Sequence, residues 1–279
     1  MDSLRVLFAL VFMLLNSANA GEVVRDSFPS KELRRDYESL IYLPEGYSEN
    51  REKRYPVIYL LHGSFLSAEM WTEGLSIEAR LDMMIAGEKI PPVIAVMPTS
   101  ESWWMNGSNE NAETAFFEEL IPRVERRWSA SSEREDRFVA GISAGGFGTV
   151  GYAMKHPDKF AAGAALSPAT YEDLPPVNSS AYEHPAFLDE SGEFDQALWR
   201  SVNYPALIDA YTEQEQMVAF YINSGDHDAL DIAYHATVLY QRLRTHQPED
   251  VELRIVDGDH EFEVWDRTLD DALEFLLSR

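Results

Sequence analysis

Short apolar segments alternate with longer amphipathic segments along most of this chain. The apolar segments are typical of buried strands, and they are ESLIYL, PVIYLL, PPVIAVMP, VAGI, FAAGAALSP, MVAFYIN and VELRIV. The amphipathic segments carry apolar residues at helical spacing, as do Ile77, Leu81, Met84 and Ile85 in SIEARLDMMIAGEKI. Strands that alternate with helices predict an α/β fold, with a mostly parallel sheet, helices on both faces and ligands at the carboxyl ends of the strands.

Two segments depart from this alternation. Residues 169–216 are rich in proline, tyrosine and acidic residues, so we expect an insertion over the carboxyl edge of the sheet. The segment AETAFFEELIPRVERRW has apolar residues at helical spacing but contains Pro122. A proline at this place should either kink the helix or mark the start of a second one.

The beginning of the chain differs from the rest. Residues 1–20 contain one arginine, an apolar run from Val6 to Leu15 and the ending Ala18-Asn19-Ala20, which together are typical of a cleaved signal peptide. The apolar run is too short for a membrane span, and no later segment is long and apolar enough for one. We therefore expect a secreted or periplasmic protein whose mature part, residues 21–279, is a single domain.

Composition and charge exclude several classes of function. The chain of 279 residues is 45% hydrophobic, which is sufficient for a large core. Because it contains no cysteine, disulfides, cysteine nucleophiles and thiolate metal sites are excluded. The formal net charge is −25, and the basic residues are scattered. This charge argues against nucleic acid and anionic membrane surfaces as partners.

The stretch RFVAGISAGGFG contains a candidate nucleophile. Ser143 lies between Gly141 and Gly145 in a G-x-S-x-G pattern that follows an apolar strand and precedes a predicted helix. In a nucleophile elbow the glycines let the strand and helix approach closely, and the serine hydroxyl is exposed at the tip. The alternative is a glycine-rich turn in which Ser143 only caps the helix. A base, an acid and an oxyanion hole elsewhere in the chain would favour the elbow.

A candidate acid and a candidate base follow Ser143 in the chain order serine, aspartate, histidine. His260 comes directly after the strand VELRIV and before the last helix, a position that suits a general base. The acid should follow the strand MVAFYIN, where SGDHD offers Asp226 and Asp228. We prefer Asp228 and keep Asp226 as the alternative. Either aspartate could instead cap the next helix.

An oxyanion hole requires two backbone N–H groups directed at the developing negative charge. Ala144, which follows the candidate nucleophile, is one expected donor. His62 and Gly63 open a turn after the strand PVIYLL, and the N–H of the following Ser64 is the second expected donor.

Acidic residues and histidines mix in DHD at 226–228 and in DGDHEFE at 257–263, which raises the question of a metal. The first stretch does not fit the EF-hand pattern, and the chain contains no H-E-x-x-H. In so acidic a chain these clusters more often reflect composition. We therefore expect neither a metal site nor a cofactor.

Together these blocks resemble the secreted esterase branch of the α/β-hydrolases, which includes feruloyl esterases, S-formylglutathione hydrolases and mycobacterial mycolyltransferases. The resemblance covers nearly all of the mature chain and rests on YLLHGSFLSAEMW, ELIPRVERRW, AGISAGGFGTVGYAMKHPDKFAAGAALSP, SGDHD and GDHEFEVW. It implies an α/β-hydrolase fold with Ser143 as nucleophile, Asp228 as acid and His260 as base. It also implies Ser64 and Ala144 as oxyanion donors, although many relatives have methionine at the position of Ala144.

The resemblance further implies hydrolysis of a carboxylic ester through an acyl-enzyme. Feruloyl or acetyl esters of carbohydrates, or other small-molecule esters, are the expected substrates. Trp71, Trp103 and Trp104 lie in loops after strands, and the family places a pocket-lining segment at ESWWMNG. Their rings could stack on an aromatic acyl group or a sugar, or they could fill the core. Acyl transfer to a sugar hydroxyl and binding without catalysis stay open as alternative functions.

Overall fold

One eight-stranded sheet forms the centre of the computed structural model, which describes residues 20–50 and 52–279. The strands are β1 (Glu22–Pro29), β2 (Asp36–Leu43), β3 (Val57–Leu61), β4 (Ile94–Pro98), β5 (Arg137–Ile142), β6 (Ala162–Leu166), β7 (Ala219–Gly225) and β8 (Val251–Val256). Their order in the sheet is β1-β2-β4-β3-β5-β6-β7-β8. Strands β3 to β8 run parallel, and β2 pairs antiparallel with both β1 and β4. The predicted α/β fold with a mostly parallel sheet is confirmed.

Helices connect the strands, as the alternation predicts. They are α1 (Ile77–Ala86), α2 (Ala112–Ala115), α3 (Ile121–Arg127), α4 (Ala144–Lys155), α5 (Gln196–Val202), α6 (Ile208–Thr212), α7 (Ile232–His246) and α8 (Phe262–Leu277). A π-helical turn, Phe116–Leu120, joins α2 to α3, and Pro122 lies in the first turn of α3. The helical backbone is continuous through this junction, since Leu120 and Ile121 both have right-handed helical dihedral angles. The structure therefore shows a π-helical turn directly before the proline, which is one of the usual irregularities of a helix, and not a separate helix start.

Apolar side chains cover both faces of the sheet. Along β3, Val57, Tyr59 and Leu61 belong to one buried cluster, and Ile58 and Leu60 belong to the other. This alternation follows from the two-residue period of a strand. Helices α2, α3, α4 and α7 pack on the first face, and α1 and α8 pack on the second. The sheet is therefore covered by helices on both sides, as an α/β-hydrolase fold requires.

The predicted insertion, residues 169–216, contains α5, α6 and several 3₁₀ turns. We call it the cap segment. Its large aromatic residues, Tyr171, Phe187, Trp199, Tyr204 and Tyr211, are buried in the same cluster as α4 and α7. The cap segment thus shares the main hydrophobic core, and this position brings it to the loops that follow the strands.

The sequence predicts that no segment spans a membrane and that residues 1–20 form a signal peptide. None of the helices in the described residues has the length and apolar character needed to span a bilayer. The predicted signal peptide, residues 1–20, lies outside the described residues except for Ala20.

Candidate active site

Ser143 lies at a sharp turn between β5 and α4, with φ 57° and ψ −112°. A non-glycine residue rarely takes this backbone conformation, and its strain has to be balanced by the surrounding structure. The flanking glycines make the turn possible. A Cβ atom at Gly145 would overlap the carbonyl oxygen of Leu61, and one at Gly141 would overlap the carbonyl oxygen of Gly145. The turn therefore has the geometry of a nucleophile elbow, and Ser143 forms no side-chain cap of α4.

We expect Gly145→Ala to destabilise the fold by several kcal/mol, because its new methyl group would overlap backbone atoms that cannot move aside. The matched control is Gly151→Ala on the same helix, where a Cβ atom would meet nothing within 4 Å. That change should stabilise the protein by about 0.5–1 kcal/mol, since alanine is favoured over glycine within helices. Urea unfolding of both variants measures the difference. Equal stability of the two variants would contradict the tight packing at the elbow.

His260 lies between Ser143 and Asp228. Its Nε2 is 2.9 Å from Ser143 Oγ, and its Nδ1 is 2.8 Å from Asp228 Oδ2. The Asp228 side chain is fully buried, and its Oδ1 accepts a hydrogen bond from the Leu230 N–H at 2.9 Å. The structure thus brings three residues that are distant in the chain into one line of hydrogen bonds.

Asp226 has a different position. Its side chain is 46% exposed, and its Oδ1 accepts a hydrogen bond from the Gly258 N–H at 3.1 Å. The only ion-pair distance of this carboxylate among the described residues is 3.8 Å, to His227 Nε2. Of the two candidate acids, Asp228 is therefore the one that contacts His260, and Asp226 links the loops after β7 and β8.

Asp259 has no motif that would have marked it in the sequence, yet it connects the two loops that carry Asp228 and His260. Its Oδ1 accepts hydrogen bonds from the N–H groups of Ala229 and His260, each at 2.7 Å. These bonds lower the pKa of Asp259 below its usual value and keep the side chain ionised. These two hydrogen bonds hold the loop that carries His260 against the loop that carries Asp228.

The turn that carries Ser64 lies against the elbow. A Cβ atom at Gly63 would be 3.8 Å from Ser143 Cβ and 3.6 Å from the Ile142 carbonyl oxygen. Ala144 is the first residue of α4, where backbone N–H groups have no partner within the helix. The two expected oxyanion donors are thus on neighbouring turns at the same edge of the sheet.

His62 fixes the orientation of the Gly63–Ser64 peptide. Its Nε2 accepts a hydrogen bond from the Ser100 N–H at 3.1 Å, so the ring proton is on Nδ1, which lies 2.8 Å from the Gly63 carbonyl oxygen. In a trans peptide the N–H points away from the C=O. By holding the Gly63 carbonyl on one side, His62 directs the Ser64 N–H to the other.

Burial lowers the pKa of His62 to about 4. In the unfolded chain His62 has its usual pKa near 6.5 and binds a proton below that pH, whereas the folded protein does so only near pH 4. The free energy of unfolding therefore falls as the pH is lowered from 6.5 towards 4, and above pH 6.5 this loss is absent. We expect His62→Asn, which removes the titrating group, to reduce the slope of unfolding free energy against pH by up to about 1.4 kcal/mol per pH unit between pH 6.5 and 4. Denaturant unfolding across this range measures it. An unchanged slope would contradict a buried neutral His62.

The three candidate pocket tryptophans are buried, so the expectation that they contact substrate is corrected. Trp71, Trp103 and Trp104 are 0–1% exposed, and none offers a free ring face. The Trp103 indole N–H donates to Ser64 Oγ, and the Trp104 indole N–H donates to the His62 carbonyl oxygen, each at 3.0 Å. These two residues support the turn that carries Ser64 from within the core. The alternative interpretation, in which the tryptophans fill the core, is the one the structure shows.

Apolar side chains are exposed on the loops that carry Ser64 and His260. Phe65, Leu66 and Phe262 line an open cleft of about 500 Å³ together with the acidic residues Glu69 and Glu73, and Phe65 is 63% exposed. Phe65 follows Ser64 in the chain, and Phe262 lies two residues after His260. An aromatic residue directly after the H-G-S turn is the signal that could have marked this cleft in the sequence.

The side chains of Asp226, His227 and Asp257 come within 4.8 Å of one another. All three are exposed, and two of them already take part in the contacts between the loops after β7 and β8. We assign no ligand to this group.

Comparison with known proteins shows the family. The model of the Esterase family, described as "Putative esterase", matches residues 30–276. The chain belongs to this family. The matched region includes Ser143, Asp228 and His260.

Two curated proteins illustrate the relationship. The esterase is 30% identical over 162 residues to the endo-1,4-beta-xylanase/feruloyl esterase of Xylanibacter ruminicola, which aligns over 55% of this chain and 22% of that protein. It is 32% identical over 188 residues to Esterase Rv1288 of Mycobacterium tuberculosis, over 61% of this chain and 40% of that protein. The chain spans less than half the length of both relatives.

Solved structures agree with the fold. A ferulic acid esterase superposes with a TM-score of 0.78 at 26% identity and covers 93% of this chain and 98% of its own. FphF, a fluorophosphonate-binding serine hydrolase of Staphylococcus aureus, has a TM-score of 0.74 at 23% identity, over 92% of this chain and 99% of its own. The second likeness shows the fold alone.

Proposed function

We propose that this esterase is a carboxylesterase that hydrolyses its substrate through an acyl-enzyme on Ser143. The observation that carries the proposal is the line of hydrogen bonds from Asp228 through His260 to Ser143 Oγ. A serine hydroxyl is a weak nucleophile until a base takes its proton, and the base acts best when a third group orients it. Membership of the Esterase family supports the same chemistry.

In the proposed reaction, Ser143 Oγ attacks the ester carbonyl carbon while His260 Nε2 takes the hydroxyl proton. The negative charge that develops on the carbonyl oxygen is stabilised by the N–H groups of Ser64 and Ala144, and each such donor typically contributes roughly 10²–10³ in rate. His260 then gives the proton to the leaving alcohol oxygen as the C–O bond breaks. A water molecule, deprotonated by His260, then attacks the acyl carbon. The bond to Ser143 Oγ breaks, His260 returns the proton to this oxygen, and the acid is released, while Asp228 keeps the imidazole oriented throughout.

Feruloyl or acetyl esters of carbohydrates are the substrates that we propose. One relative is named as a feruloyl esterase joined to a xylanase, and a structural relative is named as a ferulic acid esterase. The exposed rings of Phe65 and Phe262 support the proposal, because aromatic surfaces pack well on planar acyl groups and on sugar rings.

A panel of esters tests the proposal. Acetyl, butyryl and feruloyl esters and acetylated xylan would be compared with the purified protein, with and without a sugar acceptor. We expect release of the free acid with at least one carbohydrate ester. If transfer to the acceptor dominated in water, the protein would be an acyltransferase of the mycolyltransferase type. If a fluorophosphonate probe failed to label the intact protein, the chain would be a binding protein.

We also propose that the protein is exported and cleaved before Gly21. The support is the pattern of residues 1–20, with its short apolar run and its Ala-Asn-Ala ending. Amino-terminal sequencing of the exported protein would test the cleavage position, and a mature protein that retained Met1 would contradict it.

A further inference from the structure

His184 comes from the cap segment and lies beside the oxyanion turn. Its ring centroid is 4.7 Å from that of Phe65 and 6.2 Å from that of Trp103. Phe65 directly follows Ser64, and the Trp103 indole N–H bonds to Ser64 Oγ. The cap segment thus places a histidine next to the turn that carries a proposed oxyanion donor.

One ring nitrogen of His184 has a partner and the other has none. Nδ1 accepts a hydrogen bond from the Ala186 N–H at 3.3 Å, so the ring proton of the neutral histidine is on Nε2. Nε2 forms no hydrogen bond with any described residue, and it is not among the fully enclosed polar atoms. The residue as a whole is only 3% exposed. His184 therefore has a single unpartnered N–H donor that is not fully enclosed.

The donor is uncharged at neutral pH. Burial lowers the pKa of His184 to about 4. A neutral imidazole N–H offers no net charge to attract a carboxylate or a phosphate, but it bonds well to an ether, hydroxyl or carbonyl oxygen. A buried donor without a partner also weakens a fold, which favours a site where a ligand can pair with it.

Phe65 adds an apolar surface beside this donor. Its ring is 63% exposed although its backbone has φ 57°, a conformation that is unfavourable for a bulky residue. The ring contacts His184 and also lines the open cleft.

We propose that His184 is a substrate-binding residue whose Nε2–H donates a hydrogen bond to an uncharged oxygen of the ester, while the Phe65 ring packs on an adjoining apolar part. This inference rests on the proposed esterase function. It names the substrate class as esters that carry an ether, hydroxyl or carbonyl oxygen close to the scissile bond, in preference to plain alkyl esters.

Pairs of esters that differ by one oxygen test the inference. On the acyl side the pair is p-nitrophenyl methoxyacetate and p-nitrophenyl butyrate, and on the alcohol side it is 2-methoxyethyl acetate and butyl acetate. In each pair an ether oxygen replaces a methylene group. The measured quantity is the ratio of kcat/KM within a pair, divided by the ratio of the uncatalysed hydrolysis rates, for the wild-type chain and for variants.

We expect His184→Leu to lower this corrected ratio about tenfold in at least one pair, mainly through KM, because one hydrogen bond to the substrate is lost. His184→Gln, which keeps an N–H donor near the same place, should retain most of the preference. Phe65→Ala changes an exposed side chain. It should raise KM for both esters of a pair by the same factor.

Two results would overturn the inference. Corrected ratios that His184→Leu leaves unchanged in both pairs, whether or not both esters lose activity equally, would show that His184 does not bind the oxygen. The lack of any KM change in Phe65→Ala would show that the Phe65 ring does not pack on the substrate. Hydrolysis of none of the four esters by the wild-type chain would instead overturn the proposed function, and the inference with it.

Discussion

Replacing Ser143 by alanine is expected to lower kcat for p-nitrophenyl acetate by roughly 10⁵-fold or more, as the loss of a serine nucleophile does in other triads. The reason is that Ser143 Oγ is the only hydroxyl within hydrogen-bonding distance of His260 Nε2 among the described residues. Without it, only attack by water in the oxyanion site remains. The measurement is steady-state hydrolysis, together with labelling by a fluorophosphonate probe, which the variant should lose.

The matched control for Ser143→Ala is Ser224→Ala. Ser224 is also buried near the carboxyl edge of the sheet, and within the described part of the chain its hydroxyl bonds only to the Gly225 carbonyl oxygen. This variant should keep activity within a few-fold of the wild-type value and should keep the label. Circular dichroism would confirm that both variants fold. A folded Ser143→Ala protein with substantial activity would overturn the acyl-enzyme proposal.

The second large effect concerns the acid. Asp228→Asn is expected to lower kcat by roughly 10⁴-fold, because asparagine in place of the aspartate favours the wrong imidazole tautomer and cannot stabilise the imidazolium that forms. Asp226→Asn is a close control, since it removes one negative charge only two residues away. It should change kcat by less than about tenfold, because its carboxylate bonds to the Gly258 N–H and not to His260.

The comparison of these two variants distinguishes the candidate acids directly. A larger loss in Asp226→Asn than in Asp228→Asn would mean that the acid is Asp226 and that the loops rearrange when substrate binds. The pH profile adds a second readout. In Asp228→Asn the residual activity should rise with pH, because hydroxide can then replace the missing general-base function.

Much of the fold was predictable because it depends on local patterns. Buried strands and amphipathic helices have different periods, and both periods are readable in the chain. The pattern did not mark β1, an edge strand in which no side chain is buried. The elbow was predictable for a similar reason, because two glycines beside Ser143 are a local steric requirement.

The tryptophans show the limit of this reasoning. Trp103 and Trp104 lie in a loop after a strand, where a pocket wall is expected, yet both rings are buried. Whether an aromatic side chain in a loop points inwards depends on the cavity that the neighbouring segments leave. In this protein the cap segment supplies Phe187 and Trp199, which pack on Trp103 and enclose it.

The sequence by itself determined the α/β architecture, the strained turn at Ser143 and the chain order of serine, aspartate and histidine, because each is set by short-range periodicity or by local backbone sterics. Only the tertiary structure decided that Asp228 rather than Asp226 contacts His260, and that the three tryptophans are buried while Phe65 is exposed. These outcomes depend on the directions in which side chains point from loops that follow different strands. Such directions are fixed by packing between segments that are far apart in the chain.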